Sequence, residues 1–295
     1  MQTTSSNAGR SRRRSPLKSL TAFTLTALVV LCSSTPAVAV PILGSSLASF
    51  AVLGASGVTN VPVSTIGGNL GAAPNAAVGG GYVFTSGSLQ ANTALAQQAQ
   101  IELDAAILAV NSMGPGLTIG ADLTGTITPG VYTVPSGVTN LSGALILDGG
   151  GSNSAVWAFL FPSTLITSTT STVSVVNVGD GANVGLYWSV GTGATLNGIT
   201  FAGNVLATTI SSSDGGLTMT CGRLLSSEAQ VTLIQDTISI GCAGVGFGSG
   251  GFDQGASVGS GGEGGSNGQV VPEPGSLALL GLGLAALGWA RRRQS

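Results

Sequence analysis

The residues best suited to acid–base chemistry in this chain are two aspartates beside glycines: Asp148 before Gly149-Gly150-Gly151, and Asp180 before Gly181. Glycoside hydrolysis uses such a pair, at a carboxylate separation that sequence alone does not reveal. Aspartate before glycine is also the ordinary signature of a turn, and that is the preferred reading here. Asp148 and Asn153 sit in a Gly/Ser loop whose oxygens would suit calcium. Neither the EF-hand spacing nor the nonapeptide repeat of calcium-binding solenoids is present, so no metal and no cofactor are expected. His is absent and the one lysine, Lys18, lies near the N-terminus. Without them the usual proton shuttle, Schiff-base amine and imidazole ligand are missing, and the chain reads as a non-enzyme.

Both ends carry export signals. Arg10, Arg12, Arg13, Arg14 and Lys18 precede an apolar stretch from Leu20 to Leu31, and Ala37-Val38-Ala39 supplies the small residues that signal peptidase requires. Residues 1–39 are therefore expected to be a signal peptide, cleaved after Ala39, and Cys32 leaves with it. Arg13-Arg14-Ser15-Pro16-Leu17-Lys18 loosely resembles a twin-arginine signal, but Pro16 stands where an aromatic is usual, so general secretion is preferred.

At the other end, Val271-Pro272-Glu273-Pro274 precedes an apolar run from Leu277 to Ala290 and then Arg291-Arg292-Arg293. The run falls short of the roughly 20 residues that span hydrocarbon comfortably. Residues 271–295 thus suit a transient transmembrane stop with the arginines held inside. This arrangement resembles the PEP-CTERM sorting tail of Gram-negative bacteria. The resemblance implies cleavage by an exosortase and delivery to the cell surface or extracellular matrix, an ordinary C-terminal anchor being the alternative.

Removing both ends leaves Arg223 as the one basic residue against ten acidic ones, a net charge of about −9. A nucleic-acid partner is excluded, because one arginine cannot neutralise a phosphate backbone. Cys221 and Cys242 survive processing. In an exported protein they are either a disulfide, worth roughly 3 kcal/mol in the chain-entropy model, or two small residues buried separately.

Between these ends the texture is that of short strands. Phe50-Ala51-Val52-Leu53 and Gly68-Asn69-Leu70-Gly71 come first, followed by one amphipathic helix over Ala91 to Val110, where Leu95, Ala99, Leu103, Ile107 and Val110 recur at three- or four-residue steps. Met113-Gly114-Pro115-Gly116 ends it. Strand-like pieces then run from Leu123 to Ile240. Several alternate a hydroxyl with a large apolar residue, as in Leu217-Thr218-Met219-Thr220 and Val231-Thr232-Leu233, which sets one series inward and the other outward. With 48 glycines to form corners, the pattern suits a β-solenoid, with a β-sandwich as the competing architecture. The expected organisation is a folded domain over 40–243, a flexible Gly/Ser-rich linker over 244–270, and the tail.

A second resemblance covers about residues 43 to 240. It rests on Phe50 to Asn60, Gly67-Gly68-Asn69-Leu70-Gly71, Thr128-Pro129-Gly130-Val131-Tyr132, Leu145 to Gly149, Ala155 to Phe159, Ala194-Thr195-Leu196, Phe201 to Ala207 and Thr237-Ile238. In that order these segments resemble the microbial ice-binding (antifreeze) protein family. The resemblance implies a mainly β fold: a discontinuous right-handed β-solenoid of triangular section, with the long helix along one face. Ice would then be the partner, held by a flat array of outward threonines whose methyls order water and whose hydroxyls anchor it. The residues assigned to that array are Thr59, Asn60, Thr126, Thr164, Thr195, Thr200, Thr218, Thr220 and Thr232, although for any one threonine plain β-propensity is a sufficient account. Ala144, Ala155 and Ala194 thin the array. The alternatives are a structural or adhesive matrix protein and a glycan-binding module stacking exopolysaccharide on Trp157, Tyr187 or Trp188, although aromatics on alternating strands more often fill a core.

Overall fold

Strands in which small polar and large apolar side chains alternate bury only one face, and their edges carry unpaired N–H and C=O groups, so each pass of the chain needs another pass beside it. The computed structural model describes residues 2, 41–211, 215–242 and 251–255. The expected signal peptide, apart from residue 2, and the sorting tail, with its Val271-Pro272-Glu273-Pro274 motif, lie outside the described residues. Every pairing between the named strands is parallel. That disposes of the β-sandwich, whose sheets are antiparallel.

The pairings resolve into three ladders. The first runs through Leu117–Thr118, Gly130–Thr133, Val156–Phe161, the start of Gly185–Thr195, the middle of Thr200–Ser211 and the end of Thr218–Ser226, then Phe50–Gly54, Asn69–Ala72 and Leu89–Ala91. The second joins Gly125–Ile127, Ala144–Asp148, Thr172–Val176, Thr200, the start of Thr218–Ser226, Thr237–Ser239, Ser64–Gly67 and Tyr82–Ser86. The third joins Leu165–Ile166, the ends of Gly185–Thr195 and Thr200–Ser211, Gln230–Ile234 and Gly57–Val61. Stacking order departs from chain order, because Val52 and Leu53 pair with Leu224 and Leu225.

The longest strands turn from one ladder to the next. Thr200–Ser211 serves all three, bending at Gly203, whose φ of 89° and whose contact with Leu186 leave no room for a Cβ. Gln230–Ile234 and Thr237–Ser239 are separate strands, broken at Gln235 and Asp236.

The helix spans Ala94–Asn111, with Thr93 as N-cap accepting from the Ala96 amide. Its buried side is mostly small: Ala96, Ala99, Leu103, Ala106 and Val110. Three alanines let it lie close on the first ladder, against Leu53, Ala158, Tyr187, Leu206 and Leu225. Inside the same ladder Tyr132, Phe159 and Trp188 stand in register and stack, with ring centroids 5.5 and 4.5 Å apart. Among the described residues no helix is long and apolar enough to cross a membrane; the apolar run from Leu277 to Ala290 lies outside them.

Cys221 and Cys242 form a disulfide, Cα atoms 4.4 Å apart across a sequence separation of 21 residues. Replacing both by alanine is expected to lower stability by roughly 3 kcal/mol, read as a drop in melting temperature that reducing agent reproduces in the wild type. The segment beyond corrects the expected linker. Residues 251–255 are packed on the body, with Phe252 buried in the core and Asp253 bridged to Gly185, because the buried Arg223 guanidinium and the Leu186 amide both hold its backbone.

Candidate functional site

The second ladder presents one column of outward side chains: Ala144, Thr172, Thr200, Thr218, Thr237, Thr65 and Val83, each opposite the next. Five consecutive rungs are threonine. Their neighbours Val173, Phe201, Met219, Ile238 and Ile66 point the other way and are buried, which fixes the threonines outward. Two residues further along, Thr126, Ile146 and Ser174 form a second column at one end. Thr220, Ser239 and Gly67 continue it at the other. Between these halves sits Ala202, 8% exposed, in a groove of about 330 Å³ bordered by Ser174, Thr200, Thr218, Thr220 and Phe252.

Among the described residues, no protein group bonds the hydroxyls of Thr65, Thr172, Thr200, Thr218 or Thr237, so they are left to solvent. None of the side chains in that column is ionisable. Among the described acidic groups, Asp148 ends the strand Ala144–Asp148 at the margin of this face, opposite Val176 and two residues beyond Ile146; Glu102 and Asp104 lie on the helix, Asp122 and Asp180 in loops, Glu228 and a buried Asp236 at corners, and Asp253 in the C-terminal segment. A charge would hold its own hydration shell and prevent a continuous ordered layer of water from forming over the face.

The nine nominated residues do not share this face. Thr200 and Thr218 stand in its main column, and Thr126 and Thr220 in the parallel one. Thr195, Thr232 and Thr59 stand on the third ladder, as rungs of Ile166, Thr195, Ser211, Thr232 and Thr59, and Thr164 directly precedes that ladder's first strand. Asn60 is turned inward: it opposes the buried Leu233, accepts from Ser64 Oγ at 2.8 Å, and donates to the Gly80 and Gly81 carbonyls. Its amide closes a corner. Sequence reasoning left out Thr65, Thr172 and Thr237. The signal for them is the triplet of Thr, a large apolar residue and a small one, in Thr65-Ile66-Gly67, Thr172-Val173-Ser174, Thr200-Phe201-Ala202, Thr218-Met219-Thr220 and Thr237-Ile238-Ser239.

The aspartates read as possible acid–base groups are turn formers. Asp148 Oδ1 accepts from the Gly150 amide at 2.9 Å and from Asn177 Nδ2 at 3.0 Å. These bonds, the backbone one first, hold its carboxyl below the usual carboxylate range. Asp180 Oδ1 accepts from the Ala182 amide at 3.1 Å. Trp157, Tyr187 and Trp188 are wholly buried, which removes the expected stacking surface for a glycan. Among the described residues no group of three His, Cys, Asp or Glu side chains could hold a metal ion.

A parallel β stack with one helix-covered face and an uncharged hydroxyl column on another defines a class of proteins that work through a broad surface. The chain belongs to the ice-binding-like family, whose sequence model matches residues 52–239, and residues 270–293 match the PEP-CTERM protein-sorting motif. Over 263 residues it is 34% identical to an ice-binding protein of Nostoc sp. (strain HG1), covering 88% of this chain and 89% of that one. Among solved structures it is similar to an ice-binding protein from the Antarctic ascomycete Antarctomyces psychrotrophicus, with TM-score 0.57 and 31% identity over 67% of this chain and 97% of that chain. An ice-binding protein from an Antarctic biological consortium gives TM-score 0.59 and 30% identity over 70% of this chain and 93% of that chain.

Proposed function

We propose that the mature chain is a non-enzymatic, exported protein that adsorbs to ice through the threonine face and so slows ice growth or recrystallisation. The reading is carried by the column Thr172, Thr200, Thr218, Thr237 and Thr65, five in-register hydroxyls that bond no described protein group. Strand separation places successive hydroxyls about 4.7–4.9 Å apart, close to an oxygen repeat in ice. Methyl groups at the same interval keep the intervening water from reorienting. Family membership and the ice-binding names of the relatives support the same conclusion.

The scaffold is, in this reading, a right-handed solenoid of triangular section whose stiffness keeps the face planar. Export uses signal peptidase, and the C-terminal motif hands the chain to an exosortase after a transient stop in the inner membrane of a Gram-negative bacterium. The product resides at the cell surface or in the extracellular matrix.

The test is thermal hysteresis and the shaping of growing ice crystals by the purified mature chain. Because no ionisable side chain stands in the main threonine column, the activity is expected to stay level from about pH 5 to pH 9, where free carboxylates are already charged and arginine remains protonated. A chain that neither shapes ice nor lowers its freezing point at high concentration would sink this reading and favour a structural matrix role.

A further inference from the structure

We infer that the third face is a second ice-adsorbing surface, recognising a crystal plane different from the one that the threonine face binds; the inference rests on the ice-binding reading above. Its column is Ile166, Thr195, Ser211, Thr232 and Thr59, over a buried layer of Leu165, Ala194, Ile210, Val231 and Val58. An adjacent row pairs Gly193 with Thr209 and Gln230 with Gly57. No residue in either row is ionisable. An ordinary solvated face carries a substantial share of charged side chains. Here, as on the threonine face, hydroxyls, amide and small residues take their place, whereas the first ladder is covered by the helix.

The hydroxyl chemistry of the two faces differs. On the third face Thr59 Oγ1 donates to Thr232 Oγ1 at 3.0 Å, Gln230 Nε2 approaches the same oxygen at 3.4 Å, and Thr209 Oγ1 donates to the Gln230 carbonyl at 3.2 Å. A hydroxyl has two acceptor sites and one proton. With both acceptor sites of Thr232 engaged, its proton is left to donate outward. The hydroxyls of the threonine column carry no such constraint and turn to suit the water above them. One face therefore offers fixed polarity and the other adaptable polarity, over columns of different make-up.

The two faces are also held at a set angle. Asp236, 1% exposed, sits at the corner between them. Its carboxylate accepts from the Leu217 amide at 3.0 Å and the Ile234 amide at 2.9 Å, and its own amide donates to Ser64 Oγ at 3.0 Å. A fixed edge between two unlike faces cannot present both to one flat crystal plane, so each face engages its own plane.

The experiment is adsorption of fluorescently labelled mature protein to a single-crystal ice hemisphere, on which bound planes appear as bright patches. The wild type is expected to label two sets of planes. Thr232→Tyr, or independently Thr59→Tyr, should dim one set by at least about tenfold and leave the other. Thr218→Tyr should do the converse, with all three variants melting like the wild type. If Thr232→Tyr and Thr59→Tyr both leave the labelling unchanged while Thr218→Tyr erases it, the third face is inert and this inference falls while the ice-binding reading stands. If the wild type labels no plane, both fall.

Discussion

Thr218→Tyr is expected to reduce thermal hysteresis by at least about tenfold at equal protein concentration, because a central contact carries a disproportionate share of binding. Thr218 is the central rung of the five, with Thr200 on one side and Thr237 on the other. A phenol there would stand proud of the column and lift both neighbours from the crystal, so one substitution disables more than one contact. The same side chain is exposed and bonds no described protein group, so stability should change by less than about 0.5 kcal/mol. Thr218→Val separates the two contributions of threonine, since it keeps the methyl and removes the hydroxyl. Intermediate activity would show that both groups act. Unchanged hysteresis and crystal shape in Thr218→Tyr would move the adsorbing surface away from this column.

Arg223→Met is expected to destabilise the fold by about 3–5 kcal/mol. At a few degrees of melting temperature per kcal/mol for a domain of this size, the melting point should fall by about 10 °C. Arg223 is 1% exposed and ties three segments together. It donates to the Ala48 carbonyl through Nη2 at 2.6 Å, to Asn204 Oδ1 at 2.8 Å and to the Gly251 carbonyl at 3.1 Å, and lies 3.9 Å from Asp253. Burial pulls its guanidinium down to about 10, while the Asp253 carboxylate pulls the other way. Without it, Asp253 would keep a largely buried charge and the Gly251 carbonyl would lose a donor. Adding Asp253→Asn should recover part of the loss, because the stranded charge is then gone. Melting of the two variants by circular dichroism checks both statements, and equal stability of Arg223→Met and wild type would refute the first.

Much of the fold was legible because the residues that determine it act locally. The helix follows from spacing within Ala91 to Val110, and the inward and outward senses of Thr218-Met219-Thr220 and Val231-Thr232-Leu233 follow from alternation. The face on which each threonine stands depends instead on long-range register. Thr195 and Thr200 are five positions apart in sequence yet stand on different ladders, because a corner intervenes. Thr65 and Thr237 are distant in sequence and adjacent in space. Unequal coil lengths hide the repeated triplet from any search for fixed periods. Asn60 was misplaced for a similar reason, since the strand that begins at Gly57 reaches its corner at that point and its amide binds the Gly80 and Gly81 backbone. The packing of residues 251–255 was invisible in a Gly/Ser-rich stretch, where only Phe252 and Asp253 mark the segment that docks.

The pairing of Phe50–Gly54 with the last coil of the main stack has a developmental and evolutionary consequence. The first strands to be synthesised must wait for some of the last before their ladder can close, so assembly is a late event governed by distant contacts, which are slow to form. A chain cut short before Thr218–Ser226 lacks the rung on which Phe50–Gly54 stacks. By the same logic the array cannot be enlarged by adding repeats at either terminus: its outermost rungs, Tyr82–Ser86 and Gly125–Ile127, lie inside the chain, so a duplication that lengthened it would have to fall there.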